Sequence, residues 1–197
     1  MTPVKRARGM TLIELVVATA LGVPVLLMLT TAFASGSKSA SRINEELYVY
    51  TEFHELSQLI TGDLRRAGYS LEGQRAGDVK WPGVADPVSV NSAKDCIAYA
   101  YEFEDSGPQR RYTTIYRDTE SPGVINYYTK QLSIGAPLPA GAAPCQGGET
   151  VIDSHLITVT ELQFDVSGYP SITATLGIQS RDGVYQTSST FNVIAVN

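Results

Sequence analysis

Few residues in this chain are of a type and spacing that could do chemistry. Glu14 is the only ionisable side chain between Met10 and Ala34. The two histidines, His54 and His155, lie far apart, as do the two cysteines, Cys96 and Cys145. His54-Glu55 begins a zinc-protease-like word, but Gln58 stands where the second histidine is needed. Ser37-Lys38-Ser39 lacks the glycines of a phosphate-binding loop. The cysteines form no Cys-x-x-Cys pattern, and neither histidine sits at ligand spacing from them. No paired carboxylates, Ser/His/Asp set or metal-ligand cluster is visible. The sequence therefore predicts no enzyme, no cofactor and no small-molecule substrate.

The elements that would hold these residues are easier to read. From Met10 to Ala34 the chain is apolar or small apart from Glu14, and Lys5, Arg6 and Arg8 precede it. A helix of about 25 residues at about 1.5 Å per residue crosses the ~30 Å hydrocarbon core of a bilayer. Basic residues before such a span place a short N-terminus in the cytoplasm. A carboxylate at a bilayer centre costs about 2.5–3.5 kcal/mol on insertion scales, less near the interface where it snorkels. Glu14 lies at that end, so a tolerated interfacial acid and a functional intramembrane acid both remain open. A secretory signal peptide is the competing reading, with Ala32-Phe33-Ala34 as its cleavage site, but the apolar run is longer than the ~7–15 residues typical of one.

Gly9-Met10-Thr11-Leu12-Ile13-Glu14-Leu15, with its basic leader and long apolar helix, resembles the processing site of type IV prepilins and type II secretion pseudopilins. Met10 stands where that family usually has Phe. The resemblance implies a prepilin peptidase as partner, cleavage between Gly9 and Met10, and N-methylation of Met10. It further implies that Glu14 partners the methylated amine of a neighbouring subunit during filament assembly.

The chain has 197 residues and a net charge of −5, which becomes −8 once Lys5, Arg6 and Arg8 are lost. An acidic protein is a poor nonspecific binder of nucleic acid. Arg65-Arg66 and Arg110-Arg111 are the only basic clusters, each read as a solvated surface pair. If the C-terminal part is translocated it meets an oxidising compartment, where a Cys96–Cys145 disulfide is the natural reading; two buried free thiols are the alternative.

Pro24 and Gly22 interrupt the apolar stretch, and residues 35–41 either break the helix or form its solvated waist. Ile43, Leu47, Tyr50, Phe53, Leu56, Ile60, Leu64 and Ala67 then step by three or four, an amphipathic stripe that stops at Gly68. A helix of about 55 residues follows, half in lipid and half on a core. Residues 69–91 and 135–148 read as loops, with Trp81 anchoring the first and the second too poor in apolar bulk to be core. Strands are predicted at 96–103, 111–117, 124–130, 156–166, 171–179 and 185–196 from their Tyr, Thr, Val and Ile content. The organisation is thus a cleaved leader at 1–9, a transmembrane and filament-core half-helix at 10–34, an amphipathic half-helix at 35–68 and a globular β-rich head at 69–197.

This is an α+β class, a spine helix packed on an antiparallel sheet, which is also the pilin fold. Asp63-Leu64-Arg65-Arg66-Ala67-Gly68-Tyr69 and Val159-Thr160-Glu161-Leu162-Gln163 are similar to motifs of the PilW family of minor pilins. The J-type pseudopilins of type II secretion share much of this pattern. The resemblance implies a minor pilin that primes or caps a type IV pilus, starting in the inner membrane and ending in the extracellular filament with other minor and major pilins. A pseudopilin at the tip of a secretion pseudopilus is the alternative. A major pilin and a membrane-tethered adhesin or DNA-binding module are further ones.

Overall fold

A computed structural model describes residues 11–71, 79, 87–118, 121, 123–134, 136, 138 and 145–195. Gly9, Met10 and Trp81, with the leader's Lys5, Arg6 and Arg8, lie outside these described residues. The chain divides into two compact units, one ending at Asn44 and the other beginning at Glu45. One helix, α1 (Leu12–Leu64), is followed by eight strands: β1 (Val88–Val90), β2 (Cys96–Glu104), β3 (Pro108–Arg117), β4 (Ile125–Ser133), β5 (Glu149–Thr150), β6 (Ile157–Gly168), β7 (Ser171–Ser180) and β8 (Gln186–Ile194).

In the first unit α1 is continuous through Pro24 and through residues 35–41, so the polar stretch is a waist and not a break. Its side chains are exposed, from Leu12 at 81 % to Phe33 at 79 %. Among the described residues it is the one helix long and apolar enough to cross a membrane, by length and composition. The hydroxyls that interrupt the apolar surface are satisfied locally. Thr19 donates to the carbonyls of Leu15 and Val16, Thr30 to Leu27 and Thr31 to Met28. A polar side chain that bonds its own helix leaves no unmet donor for an apolar solvent.

In the second unit Val49, Leu56, Ile60 and Leu64 are buried, and Phe53 packs half-buried beside them. Ile43, Leu47 and Tyr50, expected on the same stripe, are more than half exposed. The core reaches back along α1 only as far as Val49. Ile43 and Leu47 lie before that point, and Tyr50 is rotated off the line Val49, Phe53, Leu56, Ile60, so these three are corrected to an open face.

The strands form two antiparallel sheets, β1-β2-β3-β4-β5 and β6-β7-β8. All six expected strands occur; β1 and β5 were not expected and are three and two residues long. The first sheet is covered on both faces. Ile97, Tyr99, Tyr101, Ile115 and Ile125 join α1 and the second sheet in one core, while Ala98, Ala100 and Tyr112 pack with Val79 and Leu138 on the other face. Burial on both sides explains why β2 shows no in-out alternation. It shows instead an alternation of size, alanines toward the loop residues and tyrosines toward the helix. Leu138 is 5 % exposed, which corrects the reading of 135–148 as contributing nothing to a core.

The second sheet presents Leu162, Phe164, Ile172, Ala174, Leu176, Ile178 and Val193 inward. Val159 is inward too, three residues before Leu162, because the register shifts between Val159 and Glu161. The extra residue of that bulge crowds β7. A Cβ at Gly177 would stand 2.7 Å from Thr160 Oγ1, so glycine is required there.

Gly68 ends the helical region with φ +81, and its N–H donates to the Ala100 carbonyl at 2.9 Å. A Cβ there would meet Pro87 Cγ and Tyr169 Oη at 2.9 Å. Gly68→Ala is expected to destabilise the second unit by about 1–3 kcal/mol, from left-handed backbone strain and this collision. Thermal unfolding of the full chain in detergent micelles measures it.

Candidate functional site

The first site lies at the start of α1. Thr11 and Glu14 cap the helix reciprocally. The Thr11 N–H and hydroxyl both donate to Glu14 Oε2, at 2.9 and 3.0 Å, and the Glu14 N–H donates to Thr11 Oγ1 at 3.3 Å. This is the Ser/Thr-x-x-Glu capping arrangement, which satisfies helix N–H groups that have no carbonyl partner. A carboxylate in the first turn also opposes the positive end of the helix dipole. Both bonds from Thr11 go to Oε2, and among the described residues none goes to Glu14 Oε1, which leaves that oxygen for a further cation or donor. The scissile bond expected at Gly9–Met10 lies outside the described residues.

The second site lies where α1 ends, and it gives a physical task to nearly every residue of the motif from Asp63 to Tyr69. Asp63 accepts from the hydroxyls of Tyr99 at 2.8 Å and Tyr127 at 2.5 Å. These belong to β2 and β4, which flank β3, so one carboxylate ties two non-adjacent strands to the helix. Burial first, and then the Asp63 charge, push both phenols above the ordinary tyrosine range, so both stay protonated donors. Hydrogen bonds to a charged acceptor are about twice as strong as neutral ones. Arg66 stands 3.9 Å from Asp63 and lies over the Tyr101 ring at 5.9 Å. Leu64 and Ala67 are buried, and the Tyr69 carbonyl accepts from the Glu102 N–H at 2.9 Å. In the strand motif, Val159 and Leu162 are core residues.

Beside this junction is a buried ion pair that the sequence reading missed. Arg110 and Glu102 are 2.7 Å apart, with side chains 16 % and 5 % exposed. Glu102 also accepts from the Ser70 hydroxyl at 2.8 Å and the Leu71 N–H at 3.2 Å. Arg110 is therefore corrected from a solvated surface residue to the half-buried partner of a buried carboxylate. Arg111 lies 4.7 Å from the centre of the Phe103 ring and is not a simple solvated cation either. A signal was available. The turn Asp105-Ser106-Gly107 joins β2 to β3, and the hairpin register it sets places Glu102 opposite Arg110.

Cys96 and Cys145 are joined in a disulfide across 49 residues, with Cα atoms 6.1 Å apart. Tyr116 donates to the Gly147 carbonyl at 2.6 Å just beyond it, holding the same segment. His54 Nε2 lies 2.7 Å from Gln58 Nε2, one helical turn on, and His155 is exposed. Among the described residues no three His, Cys, Asp or Glu side chains gather as a metal site.

A family described as prepilin peptidase-dependent protein B (PpdB) matches residues 42–193, more than half of the chain. The chain belongs to this pilin-related family. No curated protein and no solved structure matches the chain. The PpdB match begins at Arg42, so it covers the Asp63 junction, both sheets and the disulfide's two cysteines but not Thr11 or Glu14. The N-terminal motif and the PpdB match are therefore separate observations on one chain.

The Glu102 environment carries a pH signature. Burial pushes its carboxyl up, but Arg110, Ser70 and the Leu71 N–H together outweigh burial and hold it below the ordinary carboxylate range. A depressed folded-state pKa gives stability that is present above the unfolded value of about 4.3 and lost as pH falls through the folded one. Glu102→Gln is expected to lower Tm at neutral pH and to flatten the acid limb of a Tm-against-pH curve. Removing one partner of a buried pair costs about 3–5 kcal/mol when the other stays charged.

Proposed function

We propose that this chain is a minor pilin of PilW-like type, which a prepilin peptidase cuts between Gly9 and Met10 and which then primes or caps a type IV filament. The observation that carries this reading is the PpdB match over residues 42–193, joined through one unbroken helix to an apolar segment with a single carboxylate. The chain performs no reaction in this role; its work is assembly.

Before assembly, the apolar half of α1 sits in the inner membrane, with Lys5, Arg6 and Arg8 holding the N-terminus in the cytoplasm. Cleavage frees the amine of Met10, which is then methylated. In the filament, exposed residues such as Leu12, Leu26 and Phe33 exchange lipid for neighbouring helices of other minor and major pilins. Glu14 meets a neighbour's amine through its open oxygen, so that two charges are neutralised as the subunit leaves the membrane. The long Gly- and Pro-rich stretches of sequence at 69–91 and 135–148 suit a subunit used a few times at one end better than one repeated along a shaft.

Processing is tested at the N-terminus. Mass spectrometry of the mature chain is expected to show N-methyl-Met10, and Gly9→Val is expected to leave an uncut precursor in the membrane. A mature chain starting at Ser35 replaces this reading with ordinary secretion. Assembly is tested at Glu14. Glu14→Ala is expected to insert normally, since a desolvation cost is removed, but to fall several-fold in sheared filaments when quantified by peptide mass spectrometry. Those preparations also measure copy number; this chain as the dominant subunit makes it a major pilin instead.

A further inference from the structure

Two antiparallel sheets have four edges, and three of them are protected. Among the described residues β1 and β5 are three and two residues long, and the part of β4 that β5 leaves uncovered carries the charge of Lys130. β6 is longer, but its outer side is occupied. The Val159 N–H donates to the Gly123 carbonyl and the Phe164 N–H to the Lys94 carbonyl, both at 2.8 Å. Arg117 reaches the Thr160 carbonyl at 3.2 Å, and two register shifts bend the strand. Short length, bulges and covering contacts are the usual defences of an edge.

β8 has none of these. It runs nine residues, Gln-Thr-Ser-Ser-Thr-Phe-Asn-Val-Ile, with no charge, proline or glycine, and pairs with β7 without a register shift. Its bonding parity is fixed at both ends. The Tyr185 carbonyl accepts from Ser180 at 2.7 Å and the Ala195 N–H donates to Pro170 at 2.9 Å, both toward β7 and its leading turn. In an antiparallel pair, alternate residues face the partner strand. The N–H and C=O groups of Gln186, Ser188, Thr190, Asn192 and Ile194 therefore point away from β7. Among the described residues no backbone bond to them is found.

Alongside this edge runs a groove of about 510 Å³ between β8 and α1, lined by Phe53, Ser57, Thr61, Arg65, Ser189 and Phe191 among others. Its walls mix the two phenyl rings and the hydroxyls with His54 and Gln58, which contact each other, and Arg65 is its one guanidinium. Arg65 is exposed and makes no ion pair among the described residues.

We propose that β8 accepts an extended strand from a different protein subunit, added antiparallel to its open edge, with alternate apolar side chains entering the groove beside Phe53 and Phe191 and a carboxylate meeting Arg65. Backbone pairing supplies affinity in such strand addition, and the alternate side chains supply selectivity. The charge decides against a second copy of this chain as donor. β8 carries no acid, so a β8-to-β8 pair leaves Arg65 without an anion. The proposal rests on β8, the groove beside it and Arg65, and stands whether or not Gly9–Met10 is cut.

The test uses the full chain in detergent micelles and a fluorescein-labelled peptide of β8's own length, nine residues, alternating Val with Thr and with one Val replaced by Asp. Fluorescence anisotropy is expected to show saturable binding, and hydrogen exchange is expected to show new protection at Ser188, Thr190 and Asn192. Ser188→Pro removes one outward N–H and leaves the β7 ladder intact; it is expected to weaken binding at least about tenfold, while Ser188→Thr does not. Arg65→Glu, at an exposed position, is expected to reverse the preference between the Asp peptide and one with Lys in its place. Absence of binding, protection elsewhere, or unchanged affinity in both Ser188→Pro and Arg65→Glu overturns the proposal. Self-association of the peptide-free chain that Ser188→Pro abolishes overturns it in favour of a second copy.

Discussion

From Leu12 to about Ser35 the side chains of α1 are exposed and apolar, a composition that fits a membrane span, and in lipid the backbone groups of such a span bond within the helix. The rest of the molecule follows from that constraint. The side chains chosen there are apolar, or they are threonines whose hydroxyls turn back onto their own helix. The one charge sits in the first turn, where the unpaired N–H groups lie, and it caps them. From Val49 onward the same helix faces a different solvent. It becomes one wall of a core, and Leu56, Ile60 and Leu64 replace lipid contacts with strand contacts.

The end of α1 needs a different device. Apolar burial fixes a helix against a sheet without fixing its rotation or its sliding. Asp63 supplies direction, because its carboxylate must point at two hydroxyls whose rings are held by the sheet. A buried acid is costly unless donors meet it, and here two phenols that cannot readily ionise do so. Gly68 then lets the chain turn within reach of Ala100. The short motif from Asp63 to Tyr69 is thus a hinge specification, with an acceptor, a core residue, a glycine turn and a backbone bond in order.

How much of this was legible depended on whether the information was local. The apolar run, its lone acid and the six long strands were legible, because period and composition are properties of contiguous residues. The Glu102–Arg110 pair was not read, because it depends on hairpin register. β1 and β5 were missed because strands of three and two residues carry too little pattern to separate from loop. Leu138 looked like loop by its neighbours, and its burial is decided by Ala98 and Ala100, about forty residues away in sequence, which leave room above β2. Leu47 had the right period for a core stripe and lacked an opposing surface, and Tyr50 was displaced from it because the buried line runs through Val49 instead. At the candidate sites, the role of Asp63 was hidden because its partners Tyr99 and Tyr127 are remote in sequence.

The disulfide closes a covalent ring around β2, β3 and β4, and both tyrosines that hold Asp63 lie inside that ring. A pull along α1 is therefore delivered to a segment that cannot be drawn out. With the linked cysteines separated by 49 positions in sequence, roughly 160–180 Å of contour length is withheld from extension, at about 3.3–3.6 Å per residue. The strands that take the load can be sheared, but they cannot be unravelled into a long tether while the bond is intact. The limit applies to β2, β3 and β4, while β6, β7 and β8 lie outside the ring.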